Sequence, residues 1–315
     1  APLPVAAADS GQRLLLANYF AWYDLGSWDA CNISAGDSPL QRYHSDDPAA
    51  IARHVQQARG AGVDGFTLQW ASPGDRTDRN FAALLAQSAG TDFRSTVIFL
   101  RHIWPGASYA NTIEALRYLL AQYAGHPHFL RLQDRPVLFI TDLGRVPRAG
   151  GESAQQAWAA IRAQVDPNKA AWWIAEGLDA SYLSVFDGLW VYKVSHAAYP
   201  NDYAKATRWA GSVSGWEQRT GETKLWVGTL MPGWDDTRAG CRADIRAPSP
   251  PFARDRAGGD FYRATFAAAV ASAPDLLWIH SFNEWVEGSY IEPSAFYGDA
   301  YLTLTRELAA QYKNR

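Results

Sequence analysis

Sulfur is scarce in this chain of 315 residues, which holds one methionine and two cysteines. Cys31 and Cys241 stand far apart with no CxxC or Cys/His spacing, so a thiolate zinc site is not expected. They leave two arrangements, a single disulfide or two buried thiols. A disulfide between loops on one rim, joining the first loop to the seventh, is the expected one, and it would fit an oxidising compartment. Charge is also thin, at 19% charged residues and a net of −3, with no run of Lys and Arg. A surface built to neutralise phosphates is thereby excluded, and nucleic acid is not an expected partner. No apolar stretch reaches the roughly 20 residues of a membrane span, so insertion is not expected. Gly-rich phosphate loops are missing after every strand-like run, and no cofactor or metal is implied. There is no internal repeat and no low-complexity tract.

What is abundant is aromatic surface: 13% of the residues, with 14 Trp. Flat rings offer an apolar face to the C–H side of a sugar while polar groups at their edges hold hydroxyls. Each Trp has the alternative of simply filling a core. The opening Ala1-Pro2-Leu3-Pro4-Val5-Ala6-Ala7-Ala8 is small and apolar without a basic leader, like the remainder of a cleaved signal peptide. Residues 1–13 are therefore read as an extension, 14–315 as one catalytic domain, and the location as secreted or periplasmic. A monomer is expected.

Short β-like runs alternate with amphipathic helical runs from end to end, the pattern of a parallel sheet with helices outside it. Strands are expected at 14–19, 65–69, 96–100, 137–141, 171–175, 188–192, 225–229 and 277–280. Helices are expected at 48–61, 79–88, 112–123, 153–165, 180–185, 202–218, 260–272 and 301–312. Eight βα units make a closed α/β barrel of the (β/α)8 TIM type. The longest irregular stretches, 25–46 and 233–259, both follow strands, where such a barrel carries its site.

Polar residues just after each apolar run are therefore the candidates for contact with a ligand. They are Tyr19, Trp22 and Tyr23 after the first strand, Gln69 and Trp70 after the second, and Arg101, His102 and Trp104 after the third. Asp142 and Glu176 follow the fourth and fifth. Tyr192, Lys193 and His196 follow the sixth, and Trp234, Asp235 and Asp236 the seventh. After the eighth come Asn283, Glu284, Trp285 and Glu287. Aromatics and carboxylates together suit an oligosaccharide or polysaccharide cleft. Cleaving a glycosidic bond commonly takes two carboxyl groups, one to donate a proton and one as base or nucleophile. Glu284 and Glu287 are three apart, and a helical turn there would project both from one face. The plain alternative is a surface helix start. Loop arginines 238, 242, 246, 254 and 256 either meet an acidic glycan or, more simply, are solvated. Glu292, before Pro293, reads as structural.

Ser281-Phe282-Asn283-Glu284-Trp285-Val286-Glu287-Gly288-Ser289-Tyr290-Ile291-Glu292-Pro293 resembles the NEWHEGxxIEP signature of glycoside hydrolase family 99, the endo-α-mannosidases and endo-α-mannanases. Tyr19-Phe20-Ala21-Trp22-Tyr23, the segment from Asp47-Pro48 to Gly65-Phe66 with Trp70 after it, and Met231-Pro232-Gly233-Trp234-Asp235-Asp236-Thr237 fit the same pattern. The resemblance implies a (β/α)8 barrel cleaving within α-mannosides with net retention. It implies that Glu284 assists the substrate's own 2-hydroxyl in forming a 1,2-anhydro sugar, while Glu287 acts as acid and then base. The family's His before the second Glu is Val286 here. Two other readings compete. A biosynthetic glycosyltransferase of the WbsX type shares an Asn-Glu-Trp-Ala-Glu-Gly segment, and a barrel could bind glycans without cleaving them.

Overall fold

The computed structural model describes residues 13–33, 36–195, 204–241 and 251–314. Eight parallel strands pair in chain order and close on themselves: β1 (Leu14–Tyr19), β2 (Gly65–Trp70), β3 (Thr96–Phe99), β4 (Arg135–Ile140), β5 (Trp172–Glu176), β6 (Gly188–Trp190), β7 (Leu225–Leu230) and β8 (Leu276–Ile279). Closure is by β8 against β1, with Leu14 opposite Leu276 and Ala17 opposite Ile279. Among the described residues seven α-helices surround the barrel: α1 (Pro48–Gly60), α2 (Arg76–Gln87), α3 (Tyr109–Tyr123), α4 (Ala154–Val165), α5 (Ala204–Thr220), α6 (Asp260–Ala271) and α7 (Ala300–Lys313). The (β/α)8 barrel read from the sequence is thus present as a single domain.

Local chemistry explains the boundaries. Asp47 caps α1 by accepting from the Ala49 N–H, with Pro48 in the first turn. Asp75 caps α2, which begins three residues before the expected start at 79; Ser108 caps α3 through a capping box with Asn111. The fifth expected helix, 180–185, is instead a 3-10 segment, Ala180–Ser184. The eleven residues between β5 and β6, 177–187, must also turn the chain at both ends, which leaves too few for an α-helix of ordinary length. Gly65 at the foot of β2 has no alternative, since a Cβ there would lie 1.6 Å from the Arg94 carbonyl oxygen.

Period-two alternation divides every strand into two faces. Leu14, Leu16, Ile98, Val137, Phe139, Trp172, Ile174, Trp190, Leu225, Val227, Leu276 and Trp278 pack inside the barrel. Leu15, Ala17, Phe66, Leu68, Val97, Leu138, Ile140, Trp173 and Leu277 pack outward against the helices. Trp190 and Trp278 meet edge to face at 4.6 Å inside the barrel, so these tryptophans fill a core and bind no sugar.

Cys31 and Cys241 form the expected disulfide, with Cα atoms 6.2 Å apart and a sequence separation of 210. It ties the loop after β1 to the loop after β7 on the same rim. Replacing both by Ser is expected to cost about 2–5 kcal/mol, since the open chain regains the entropy of a long loop. Urea unfolding of the double variant against wild type measures it.

Candidate active site

Counting outward from the packed interior, the last inward position of the strands carries Asn18, Gln69, Thr141, Glu176, Tyr192, Thr229 and His280. Around and above this ring lie the loops, and at the exit of β8 the chain makes the turn holding Glu284 and Glu287. That turn is not helical, contrary to expectation. The Glu284 carboxylate closes it by accepting from the N–H groups of Val286 (2.9 Å) and Glu287 (3.3 Å), and the Ser289 N–H reaches the Glu284 carbonyl at 3.2 Å.

The two carboxylates have unlike surroundings. Glu284 is buried, and the Tyr23 hydroxyl donates to it while accepting from the Trp285 N–H at 3.1 Å. Burial, then the charge of Glu287, raises its proton affinity well above the ordinary carboxylate range. Glu287 is partly open to solvent, and its Oε2 takes a hydrogen bond from the Tyr192 hydroxyl at 3.2 Å and faces His280 Nε2 at 3.4 Å. Burial and the neighbouring carboxylates push the phenols of Tyr23 and Tyr192 up, so both stay protonated and act as donors. Tyr192 OH and Tyr23 OH thus each serve one member of the pair.

Other candidates surround this centre. Glu176 accepts from the Thr141 hydroxyl and, at 2.9 Å, from the Asp142 N–H, and Asp142 pairs with Arg145 at 3.0 Å. Lys193 lies 3.6 Å from the Trp234 ring centre and 4.0 Å from Asp236 Oδ2. Burial lowers its proton affinity, against the charges of Asp236 and Glu287. Trp234 stacks beside His280 at 5.7 Å. Trp22 and Trp104 stack at 6.3 Å, and Trp104 is 36% exposed, the kind of open ring face a sugar covers. Arg101 shapes the loop that carries Trp104, donating to the carbonyls of Pro105 and Gly106.

Several expected contact residues sit elsewhere. Tyr19 and Trp70 have the outward parity: Tyr19 stacks on Phe66 and bonds His54, and Trp70 donates to Asp78 behind the barrel wall. His102 is buried against Phe99 and Trp158 and donates to the Thr141 carbonyl; burial takes it down to about 4, so it is neutral. Gln69 points inward but is buried, donating to Asn18 at 3.1 Å. Asn283 bridges the Phe20 N–H and carbonyl, and Trp285 stacks on Tyr290 beneath the turn. Asp235 closes its own turn through Thr237, and Asp236 is buried on the Phe252 N–H. His196, Arg242 and Arg246 lie outside the described residues. Arg254 donates to the Ser195 carbonyl. Arg256 is neither solvated nor at the mouth: it is buried among Tyr290, Tyr297 and Tyr301 and holds the carbonyls of Gly288 and Tyr290.

Glu292 is structural, as read. Its carboxylate accepts from Tyr43 OH (3.1 Å) and Trp285 Nε1 (2.9 Å), with His54 Nε2 3.1 Å away, all buried. Asn18 and His280 were missed. Asn18 lies within an apolar strand and His280 directly after one, and the signal that finds them is parity with Leu14, Leu16 and Trp278.

A closed (β/α)8 barrel with a glutamate pair at the exit of its last strand defines the class. The chain belongs to glycosyl hydrolase family 99, whose family model matches residues 28–305. It is 25% identical over 278 residues to the glycoprotein endo-alpha-1,2-mannosidase of Rattus norvegicus, covering 80% of this chain and 55% of that protein. The human glycoprotein endo-alpha-1,2-mannosidase-like protein is 24% identical over 311 residues, covering 87% and 63%. The chain thus spans little more than half the length of the curated relatives it matches. Its fold matches the solved GH99 endo-alpha-mannosidase from Bacteroides thetaiotaomicron with a TM-score of 0.75 at 24% identity, over 97% of this chain and 98% of that one.

Proposed function

We propose that this protein is a retaining, endo-acting glycoside hydrolase of an α-linked, mannoside-like glycan. The observation that carries the reading is the β8 turn, where one buried and one half-open carboxylate stand together, each held by its own tyrosine. In the first step Glu284 takes the proton of the substrate 2-hydroxyl as that oxygen bonds to the anomeric carbon. The anomeric bond to the leaving oxygen breaks, and Glu287 protonates that oxygen. In the second step water attacks the anomeric carbon, losing a proton to Glu287, while the ring-opened O2 recovers its proton from Glu284. Two inversions give net retention. A carboxylate whose proton affinity is raised is the better acceptor for a hydroxyl proton, which suits Glu284 to its part. The names of the relatives support the α-mannoside substrate, and the disulfide supports an oxidising compartment.

Product analysis on a panel of α-linked oligosaccharides, with NMR of the released anomer, tests the reading. Internal cleavage with an α-configured first product is expected; an inverted product overturns the two-step route. The same reading fixes a pH dependence. Glu284 must be ionised to accept the proton, and burial beside Glu287 raises its affinity. The limb of kcat/KM that reports Glu284 is therefore expected above the ordinary Glu value of about 4.3. Both limbs at or below that value would contradict the role given to Glu284.

A further inference from the structure

Behind Glu287 runs a buried polar chain that no step above uses. Gln69 Nε2 donates to Asn18 Oδ1 at 3.1 Å, which turns the Asn18 amide so that its Nδ2 faces His280 Nδ1 at 3.3 Å. A ring nitrogen that meets an amide N–H is an acceptor, so the ring proton sits on the other nitrogen. His280 Nε2 is the atom 3.4 Å from Glu287 Oε2. Reversing both amides would put an imidazole lone pair against a carboxylate oxygen, a repulsive contact inside the barrel.

Resting on the reading of Glu287 as acid and base, we infer that Gln69 and Asn18 lock His280 in the Nε2–H tautomer, making it a fixed neutral donor that positions Glu287. The ring has little freedom, lying 4.2 Å from Tyr192, 5.4 Å from Trp278 and 5.7 Å from Trp234, centre to centre. The charged groups acting on it are Glu287 and Glu176, which favour a second proton, and Lys193, which opposes one; burial outweighs them and keeps it neutral. His280 and Tyr192 both address Oε2, and among the described residues neither addresses Oε1. Oε1 is therefore the oxygen that carries the catalytic proton toward the sugar. When Glu287 is protonated, Oε2 faces the Tyr192 O–H and the His280 N–H as a carbonyl oxygen. When Glu287 is ionised, the same hydrogen bond and the N–H dipole 3.4 Å away stabilise its charge. Neither donor has to move between the steps.

Nitrogen-15 spectra of labelled wild-type protein test the tautomer without reference to activity. A His280 ring protonated on Nε2 alone is expected at neutral pH, and protonation on Nδ1 alone overturns the inference. Kinetics test the consequence. In His280→Phe the donor is lost, the ionised form of Glu287 is less favoured, and the limb of kcat/KM that Glu287 sets should move up in pH. Its kcat should fall roughly 10- to 100-fold, part of what general acid catalysis supplies, with KM little changed. His280→Gln, which offers an amide N–H in place of Nε2–H, should restore the limb. Asn18→Asp should draw a second proton onto His280, and the positive ring should move the limb down. A merely structural role would lower stability in these variants and leave the limb in place. Full activity of Glu287→Gln would defeat the acid/base reading itself; an inactive Glu287→Gln with unmoved limbs would defeat only the tautomer lock.

Discussion

Glu284→Gln is expected to lose hydrolysis by roughly 10³-fold or more while unfolding at a higher temperature than wild type. General acid and base groups typically supply 10²–10⁴ in rate, and this one would also lose the oxygen that takes the 2-hydroxyl proton. The gain in stability follows from the sign of its shift. A carboxyl whose folded-state proton affinity is raised contributes stability while protonated, and loses it as pH rises through the folded value. Above the pH at which Glu284 ionises, wild type holds a buried charge beside Glu287; glutamine holds none and still accepts from the N–H groups of Val286 and Glu287. Activity lost with the melting point raised is a pattern that misfolding does not produce. Glu287→Gln should lose a similar factor on natural glycan. It should recover on a glycosyl fluoride, whose leaving group needs no proton, whereas Glu284→Gln should not. Recovery of both variants, or of neither, would sink the division of roles.

The second large effect is expected at Glu292, which touches no substrate. Its removal leaves two buried donors facing nothing, Tyr43 OH and Trp285 Nε1, and takes the carboxylate from beside His54 Nε2. Orphaning polar groups in this way costs about 3–5 kcal/mol when a buried pair is broken. Glu292→Ala should therefore shift the urea midpoint by that much and release Trp285, the residue between the two catalytic candidates. A cost under about 1 kcal/mol would show that the turn holds itself. Glu292→Gln keeps one acceptor oxygen and should fall between the two.

The barrel was legible because each strand is short, apolar and bounded by turn or cap residues, and β1 was read with the bounds it has. Inward and outward positions were less so. Taking polar residues just after each apolar run selects Tyr192 and Glu176, which face the mouth, but also Tyr19 and Trp70, which face the helices. Parity counted from Leu14 and Leu16 separates them, and it brings in Asn18, one residue before Tyr19. His280 was passed over as the end of a strand. The Glu pair was found from its motif, yet its turn is shaped by the Glu284 side chain bonding back to the chain, which helical periodicity does not express. Tyr43 and His54 carry no local signal at all: they meet Glu292 across 249 and 238 residues of sequence, and only the closed fold brings them there.

Val286 has a consequence of its own. Its peptide N–H binds Glu284, but its half-buried side chain takes no part in fixing either carboxylate. Every other residue from Ser281 to Glu287 is committed, by side chain, to the interior or to the carboxylate pair. Position 286 is thus the one place between Ser281 and Glu287 where an isopropyl group can stand for an imidazole with the bonds on either side unchanged.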